Sequence, residues 1–215
     1  SGRELWITDG TVGGTQMLKD IRPGAGGSEP TAFTEFNGRL YFVAHDGVNG
    51  RELWSTDGTP AGTQLEIQVA AGSSGIEPSD GNAILAVSGG LLYFSAVMPF
   101  GNGWALWKTD GTQAGTLSLD RITNLLGEAI EQMIDLDGLL VLRAPAQTFG
   151  EAIWRSDGTQ AGTYPVHTTA VALSTDNNLV AMNGEAFFSA DDGVNGRELW
   201  KTDGTIAGTS QVLSL

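Results

Sequence analysis

The sequence predicts an all-β protein built from copies of one repeat, most simply a β-propeller of four-stranded antiparallel blades. A phrase of the type ELWxTDGTxAGT recurs five times, and pairs of the Asn-Gly type separate short apolar runs. Repeats of about 40–50 residues are typical of propeller blades. The tryptophans of the phrase, 48, 53, 47 and 46 residues apart, are Trp6, Trp54, Trp107, Trp154 and Trp200.

Each unit divides into four predicted strands, A to D. In the first whole unit, strand A ends at Asn37-Gly38 and strand B follows at once. A pair that tolerates positive φ at both residues is the strongest short signal for a two-residue hairpin. A loop then leads to strand C, which carries the ELW phrase, and the DGT turn leads to strand D. The equivalent hairpin pairs are Gly89-Gly90, Asp137-Gly138 and Asn183-Gly184.

Longer Gly- and Ser-containing connections join strand D of one unit to strand A of the next. Residues 1–21 supply only strands C and D, so we predict four whole blades and an N-terminal half-blade in one propeller or propeller fragment over 1–215. The alternative is another all-β repeat array. Residues 122–136 also fit a short helix, but the register of the repeat predicts strand A over 130–136. The predicted whole units span about 31–70, 82–122, 130–168 and 177–215.

The charge of the chain excludes several classes of function. With 11 basic and 25 acidic residues the formal net charge is −14, which disfavours binding to nucleic acid and to anionic membranes. No apolar run is long enough to span a bilayer, so we expect no membrane insertion. The chain has no cysteine, which excludes disulfides and thiolate chemistry.

The phrase resembles the bacterial ELWxxDGT repeats, a family named for its Glu-Leu-Trp and Asp-Gly-Thr signature. Glu198, Leu199 and Trp200 followed by Asp203, Gly204 and Thr205 show the pattern most fully, and the match covers essentially the whole chain. The third whole unit departs most, with Ala152-Ile153 in place of Glu-Leu. The resemblance implies a protein that is secreted or exposed on the cell surface of a bacterium, and it implies no particular activity.

The residues common to all units are predicted to be structural. An aspartate before glycine accepts hydrogen bonds from the backbone of its own turn, and a tryptophan in every unit packs between sheets. The alternatives are that the aspartates form a functional set of carboxylates and that the tryptophan rings stack on a ligand. The recurring aspartates are Asp9, Asp57, Asp110, Asp157 and Asp203.

Two kinds of loop between strands B and C are candidate sites. The DGVNG loops carry several oxygen donors of the kind that Ca²⁺ prefers, although a plain turn is the competing interpretation. The candidate calcium ligands are Asp46, Asn49, Asp191, Asp192 and Asn195. The other two loops are apolar and would form an interaction patch if exposed. The candidate ligand or partner contacts there are Met98, Phe100, Trp104 and Phe149.

No catalytic motif and no cofactor-binding motif is present, so calcium is the one cofactor considered and no catalytic residue is assigned. We therefore expect a non-enzymatic extracellular scaffold that binds a protein or a glycan, or that self-associates. A lectin-like propeller is one alternative, with equivalent pockets in successive units. A glycoside hydrolase is the other, and it would need a unique pair of carboxylates facing one bond.

Overall fold

The computed structural model describes residues 2–69, 75–76, 84–97, 104–119, 130–145, 151–168, 179–191, 193 and 196–212. These residues form eighteen strands and no helix. None of them forms a helix long and apolar enough to cross a membrane. The half-unit consists of β1 (Leu5–Ile7) and β2 (Gln16–Lys19).

Four antiparallel sheets follow the half-unit, each formed by four consecutive strands. This is the predicted arrangement of four blades and a half-blade. The strands of units 1 and 2 are β3 (Thr31–Phe36), β4 (Arg39–His45), β5 (Arg51–Thr56), β6 (Gln64–Ile67), β7 (Leu85–Ser88), β8 (Leu91–Val97), β9 (Trp104–Thr109) and β10 (Leu117–Leu119). Those of units 3 and 4 are β11 (Gln132–Leu136), β12 (Leu139–Pro145), β13 (Glu151–Ser156), β14 (Tyr164–Thr168), β15 (Val180–Met182), β16 (Glu185–Asp191), β17 (Arg197–Thr202) and β18 (Ser210–Gln211).

The four predicted hairpin turns between strands A and B are confirmed. Asn37 and Gly38 have φ of 52° and 71°, and the equivalent pairs are also positive at both positions. That geometry is the type I′ turn, whose twist matches the twist of the flanking strands. In unit 3, β11 begins at Gln132, so the register of the repeat predicted this stretch correctly and a helix over 132–136 was the wrong alternative.

The core lies between successive sheets, which pack face to face. Each unit has a front face toward the preceding unit and a back face toward the next one. On unit 1, Phe42 and Trp54 lie on the front face against Leu5 and Leu18 of the half-unit. Tyr41, Val43 and Leu53 lie on the back face, against Leu92, Phe94 and Ala96 of unit 2. The alternation follows from strand geometry, in which successive side chains point to opposite faces.

The same junction recurs along the chain. Unit 2 places Tyr93 and Leu106 against Leu142 and Trp154 of unit 3. Unit 3 places Val141, Ile153 and Val166 against Phe188 and Trp200 of unit 4. The innermost strands also meet: β7 contacts β3 and β11, and β11 contacts β15. Strands A therefore line the inside of the array, as in a propeller.

Candidate functional site

The DGT turn of unit 1 is a closed set of hydrogen bonds. Oδ1 of Asp57 accepts from the backbone N of Thr59 at 2.9 Å and from its Oγ1 at 2.7 Å. The Thr59 Oγ1 in turn accepts from the Gly62 backbone N at 2.9 Å. The Thr63 hydroxyl donates to the Thr59 carbonyl oxygen and lies 2.7 Å from the hydroxyl of Thr56. Every polar residue of the motif therefore has a partner inside the turn.

The glycine near the end of the phrase is required by the aspartate. A Cβ at Gly62 would collide with the carboxylate of Asp57. The first glycine of the turn, Gly58, has a φ of 89°, which favours glycine. The collision at Gly62 and the positive φ at Gly58 explain why the phrase fixes glycine at both positions.

All five turns repeat this arrangement. Each aspartate accepts from the threonine two residues later through both backbone and side chain. The hydrogen bond from that threonine hydroxyl is the main cause that lowers the pKa of each turn aspartate below its ordinary value. The geometry thus accounts for these aspartates without any ligand.

The recurring tryptophans lie on the front faces of the units. Trp54 is 7% exposed and Trp154 is 4% exposed, because the preceding sheet covers each ring. Trp107 stacks on Phe94 with ring centroids 6.3 Å apart, and Trp200 lies 4.4 Å from the His167 ring of unit 3. Trp6 belongs to the half-unit, has no sheet in front of it among the described residues, and is 58% exposed.

The loop of unit 1 between strands B and C uses its polar groups internally. Asp46 accepts from the backbone N of Val48 and of Asn49, both at 2.8 Å, and from Asn49 Nδ2 at 2.6 Å. Burial acts to raise the pKa of Asp46, but these hydrogen bonds outweigh it and leave the pKa below its ordinary value. Asn49 Oδ1 accepts from Gln68. The geometry is that of a self-bonded turn.

The other candidate residues fall partly outside the described structure. Asp191 accepts from the Gly193 backbone N at 2.7 Å, in the place where unit 1 uses His45 and Gly47. Trp104 is partly buried against the core between units 2 and 3. The described residues contain no group of three or more His, Cys, Asp and Glu side chains that could hold a metal ion. Asp192, Asn195, Met98, Phe100 and Phe149 lie outside the described residues.

The glutamate of the ELW phrase has a role that sequence reasoning missed. Glu4 is buried, and its carboxylate accepts from the backbone N of Ile21 at 3.0 Å and of Ser28 at 3.1 Å. It also accepts from the Ser28 hydroxyl at 2.6 Å. In unit 1 the equivalent Glu52 accepts from the Val69 backbone N at 2.8 Å. The side chain therefore anchors the connection from strand D to the next unit.

A buried arginine was missed as well. Arg143 is 3% exposed and pairs with Glu131 at 2.7 Å, at the start of the inner strand of unit 3. Val43, Ser95 and Ser189 occupy its position in the other units. A comparison of equivalent positions would have found it, because only unit 3 has a charged side chain there.

The two ends of the array expose apolar side chains that interior units bury. On the back face of unit 4, Leu199 is 47% exposed, whereas the equivalent Leu53 and Leu106 are fully buried. Met182 is 55% exposed, whereas the equivalent Phe36 is 4% exposed. The back face of unit 4 and the front face of the half-unit are thus uncovered by any described residue.

A cavity of about 340 Å³ lies between the half-unit and unit 1. One wall is β1 with Leu18, and the other includes the first hairpin turn and the start of strand B. The DGT turn of unit 1 also contributes to its lining. The side chains and backbone that line it belong to Leu5, Trp6, Ile7, Leu18, Glu35, Gly38, Arg39, Leu40, Thr56, Asp57 and Gly58.

No protein-family model matches this sequence, and no curated protein matches it either. The structure is similar to TolB from Acinetobacter baumannii, with a TM-score of 0.51 and 10% sequence identity over 82% of this chain and 41% of that chain. It is also similar to a puromycin hydrolase, with a TM-score of 0.49 and 15% identity over 86% of this chain and 29% of that one.

A chain of the nidogen/laminin complex is similar at a TM-score of 0.45 and 12% identity, over 81% of this chain and 60% of that chain. This chain spans less than two thirds of the length of each of these proteins. At such low identity a likeness shows the fold alone. The likeness to TolB and the four-stranded antiparallel sheets together show that the chain is an all-β protein with the β-propeller fold.

Proposed function

We propose that the chain is a non-enzymatic repeat scaffold that associates with partner proteins or with further repeat units through its uncovered end faces. The observation that carries the proposal is the exposure of Leu199 and Met182 at positions that are buried in the interior units. Large apolar side chains are thereby exposed on one face, and exposed apolar patches mark interaction sites in soluble proteins. The resemblance to the ELWxxDGT repeats supports a place outside a bacterial cell or on its surface.

The polar residues of the repeat support a scaffold over an enzyme. The carboxylates that recur in every unit accept hydrogen bonds within their own turns, and Glu4 and Glu52 hold backbone connections. An apolar face favours a protein partner over a glycan, because sugars require hydrogen-bonding groups as well as stacking surface.

The experiment is sedimentation equilibrium of the chain over a range of concentrations at low and high ionic strength. The net charge of −14 repels copies of the chain from one another, so we expect association to increase when salt screens that repulsion. Leu199→Arg should abolish the association. Leu117→Arg is the matched control, because Leu117 is similarly exposed, at 54% against 47% for Leu199, but lies on the outer strand of unit 2.

A wild-type chain that stays monomeric at every concentration and salt level contradicts association between copies through this face. Equal loss of association in the Leu199 and Leu117 variants contradicts the assigned location.

A further inference from the structure

The recurring tryptophan carries a buried hydrogen-bond donor in each of the four whole units. Its Nε1 is shielded from solvent in all four, and it donates to no atom of the residues that the structure describes. Buried polar atoms of native proteins nearly always have a partner, either in the protein or in an ordered water molecule. The same state in four equivalent atoms is therefore a property of the repeat. The four tryptophans are Trp54, Trp107, Trp154 and Trp200.

The junction of units 3 and 4 adds a polar side chain at a position that is apolar in units 1 and 2. His167 lies opposite Ile153 on strand D of unit 3. The equivalent residues of units 1 and 2 are Ile67 and Leu119, which are 1% and 2% exposed. An imidazole in place of a buried aliphatic side chain brings two ring nitrogens into the junction. Each of them needs a hydrogen-bond partner when it is shielded from water.

The imidazole contacts the tryptophan of the next unit. The ring centroids of His167 and Trp200 are 4.4 Å apart, and the Phe188 ring of unit 4 lies 5.7 Å from that of His167. Nε2 of His167 is shielded from solvent and, like Nε1 of Trp200, has no hydrogen-bond partner within the described part of the chain. Two unpartnered nitrogens thus belong to rings that are in contact across one junction.

The two nitrogens are chemically complementary. Burial lowers the pKa of His167 below its ordinary value of 6.5, so the ring is neutral at about pH 7. A neutral imidazole has one N–H donor and one acceptor nitrogen, whereas an indole is a donor only. When Nδ1 carries the hydrogen, Nε2 is the acceptor. The junction then holds one donor and one acceptor, and a single water molecule can satisfy both.

A direct hydrogen bond between the two rings does not fit their arrangement. The ring planes are inclined by 39° at a centroid distance of 4.4 Å, so the rings lie more face to face than edge to edge. An N–H···N hydrogen bond requires the N–H to point at the acceptor nitrogen in a nearly linear arrangement. A water molecule beside the rings can instead accept from one of them and donate to the other.

We propose that the junction of units 3 and 4 contains a binding site for one ordered water molecule, which accepts a hydrogen bond from Nε1 of Trp200 and donates one to Nε2 of His167. The water links strand D of unit 3 to strand C of unit 4. Buried waters that satisfy otherwise unpaired polar groups are part of a protein structure and are costly to remove. The site lies between two whole units and is independent of the association through the end faces.

A crystal structure of the full chain, at a resolution that shows ordered water, tests the site directly. We expect one water oxygen at about 3 Å from both nitrogens. NMR locates the hydrogen atoms, which such a crystal structure does not show. The nitrogen chemical shifts of His167 should identify Nε2 as the unprotonated atom. The indole N–H proton of Trp200 should give a rotating-frame Overhauser cross-peak to a slowly exchanging water.

Two substitutions test the two partners separately. Trp200→Phe removes the donor and keeps an aromatic ring, and His167→Leu installs the side chain that Leu119 supplies in unit 2. Each variant should lose the water. Trp107→Phe is the matched control, because it removes the equivalent indole N–H from another junction and should leave the water beside His167 in place. Near-UV circular dichroism verifies that each variant retains its fold.

Absence of the water from the wild-type crystal structure overturns the proposal, and this result requires no variant. A direct hydrogen bond between Trp200 and His167 overturns it as well, and so does a hydrogen on Nε2. A water that stays in place in the folded His167→Leu variant has other partners and contradicts the assignment. Loss of the water in Trp107→Phe contradicts it too, because that substitution leaves both proposed partners intact.

Discussion

The aspartate of each DGT turn stabilises the turn through a hydrogen-bond set that includes three side-chain hydroxyls, all of them from threonine in unit 1. Asp157 shows the arrangement with Ser156 in place of the first threonine, and the serine hydroxyl still lies 2.7 Å from that of Thr163. Because the serine keeps the oxygen and loses only a methyl group, the requirement at this position is the hydroxyl. The residue types in the phrase therefore follow from hydrogen-bonding capacity.

Replacement of Asp157 by alanine removes the acceptor for the Thr159 backbone N and hydroxyl. Since the turn is exposed to solvent, we expect a loss of about 1 kcal/mol in the free energy of unfolding. Urea denaturation measures it. Asp157→Asn keeps an oxygen in the same place and should lose less. An equal loss in both variants would show that the hydrogen bonds are not the cause.

We expect His167 to make the junction between units 3 and 4 sensitive to pH. Its ring lies 4.4 Å from that of Trp200 and 5.7 Å from that of Phe188, and burial lowers its pKa below the ordinary value of 6.5. The unfolded chain therefore binds a proton at higher pH than the folded chain does. The contribution of neutral His167 to the free energy of unfolding is fully present above about pH 6.5. It is lost as the pH falls toward the pKa of His167 in the folded chain.

Urea denaturation between pH 7 and about pH 5 tests this sign, because it spans the ordinary titration of histidine. The free energy of unfolding of the wild type should fall with pH, and that of His167→Phe should fall less. A wild-type slope in the His167 variant would contradict the assignment.

At the scale of elements, the strands and their turns follow closely from local sequence. The Asn-Gly-type pairs specify type I′ turns, and those turns fix the register of strands A and B by short-range geometry. The role of Glu4 does not follow from local sequence, because its partners Ile21 and Ser28 are 17 and 24 residues away. Its burial depends on how the connection folds back over the strand.

The connection anchored by Glu4 should be the element most sensitive to a single substitution in the half-unit. Glu4→Ala leaves two backbone N–H groups without their acceptor, at a cost of roughly 2–4 kcal/mol. Thermal unfolding with two probes would detect it as a lower midpoint or as separate melting of the half-unit. Glu4→Gln keeps one acceptor oxygen, so its unfolding midpoint should lie between those of the wild type and the alanine variant. An alanine variant with the wild-type midpoint would show that the connection is held elsewhere.

At the scale of the whole molecule, stability comes from contacts between neighbouring units. Such arrays lose structure from the ends inward, because an end unit has one neighbour and an interior unit has two. We expect amide hydrogen exchange to be fastest in β1, β2 and β15 to β18, and slowest in the central strands of units 2 and 3. Uniform exchange across all units would instead indicate one cooperative ring.

The sequence predicts the number of units but not which copies are exposed. Trp6 and Trp54 have nearly identical neighbours in sequence, yet one ring is 58% exposed and the other 7%. The difference comes from the preceding sheet, which no local pattern encodes. For the same reason, the apolar loop residues could be identified as variable, whereas the partly buried place of Trp104 between two units required the structure.

The front and back faces give the molecule a direction. Every internal junction joins the face that carries the recurring tryptophan of the ELW phrase to a face without it, so the two end faces that no described residue covers differ from each other. A two-fold dimer would set like face against like and could not reproduce that junction. Copies of the chain that reuse this front-to-back junction must therefore associate head to tail. The rotation between successive copies then decides whether they form a closed ring or a filament without a fixed length.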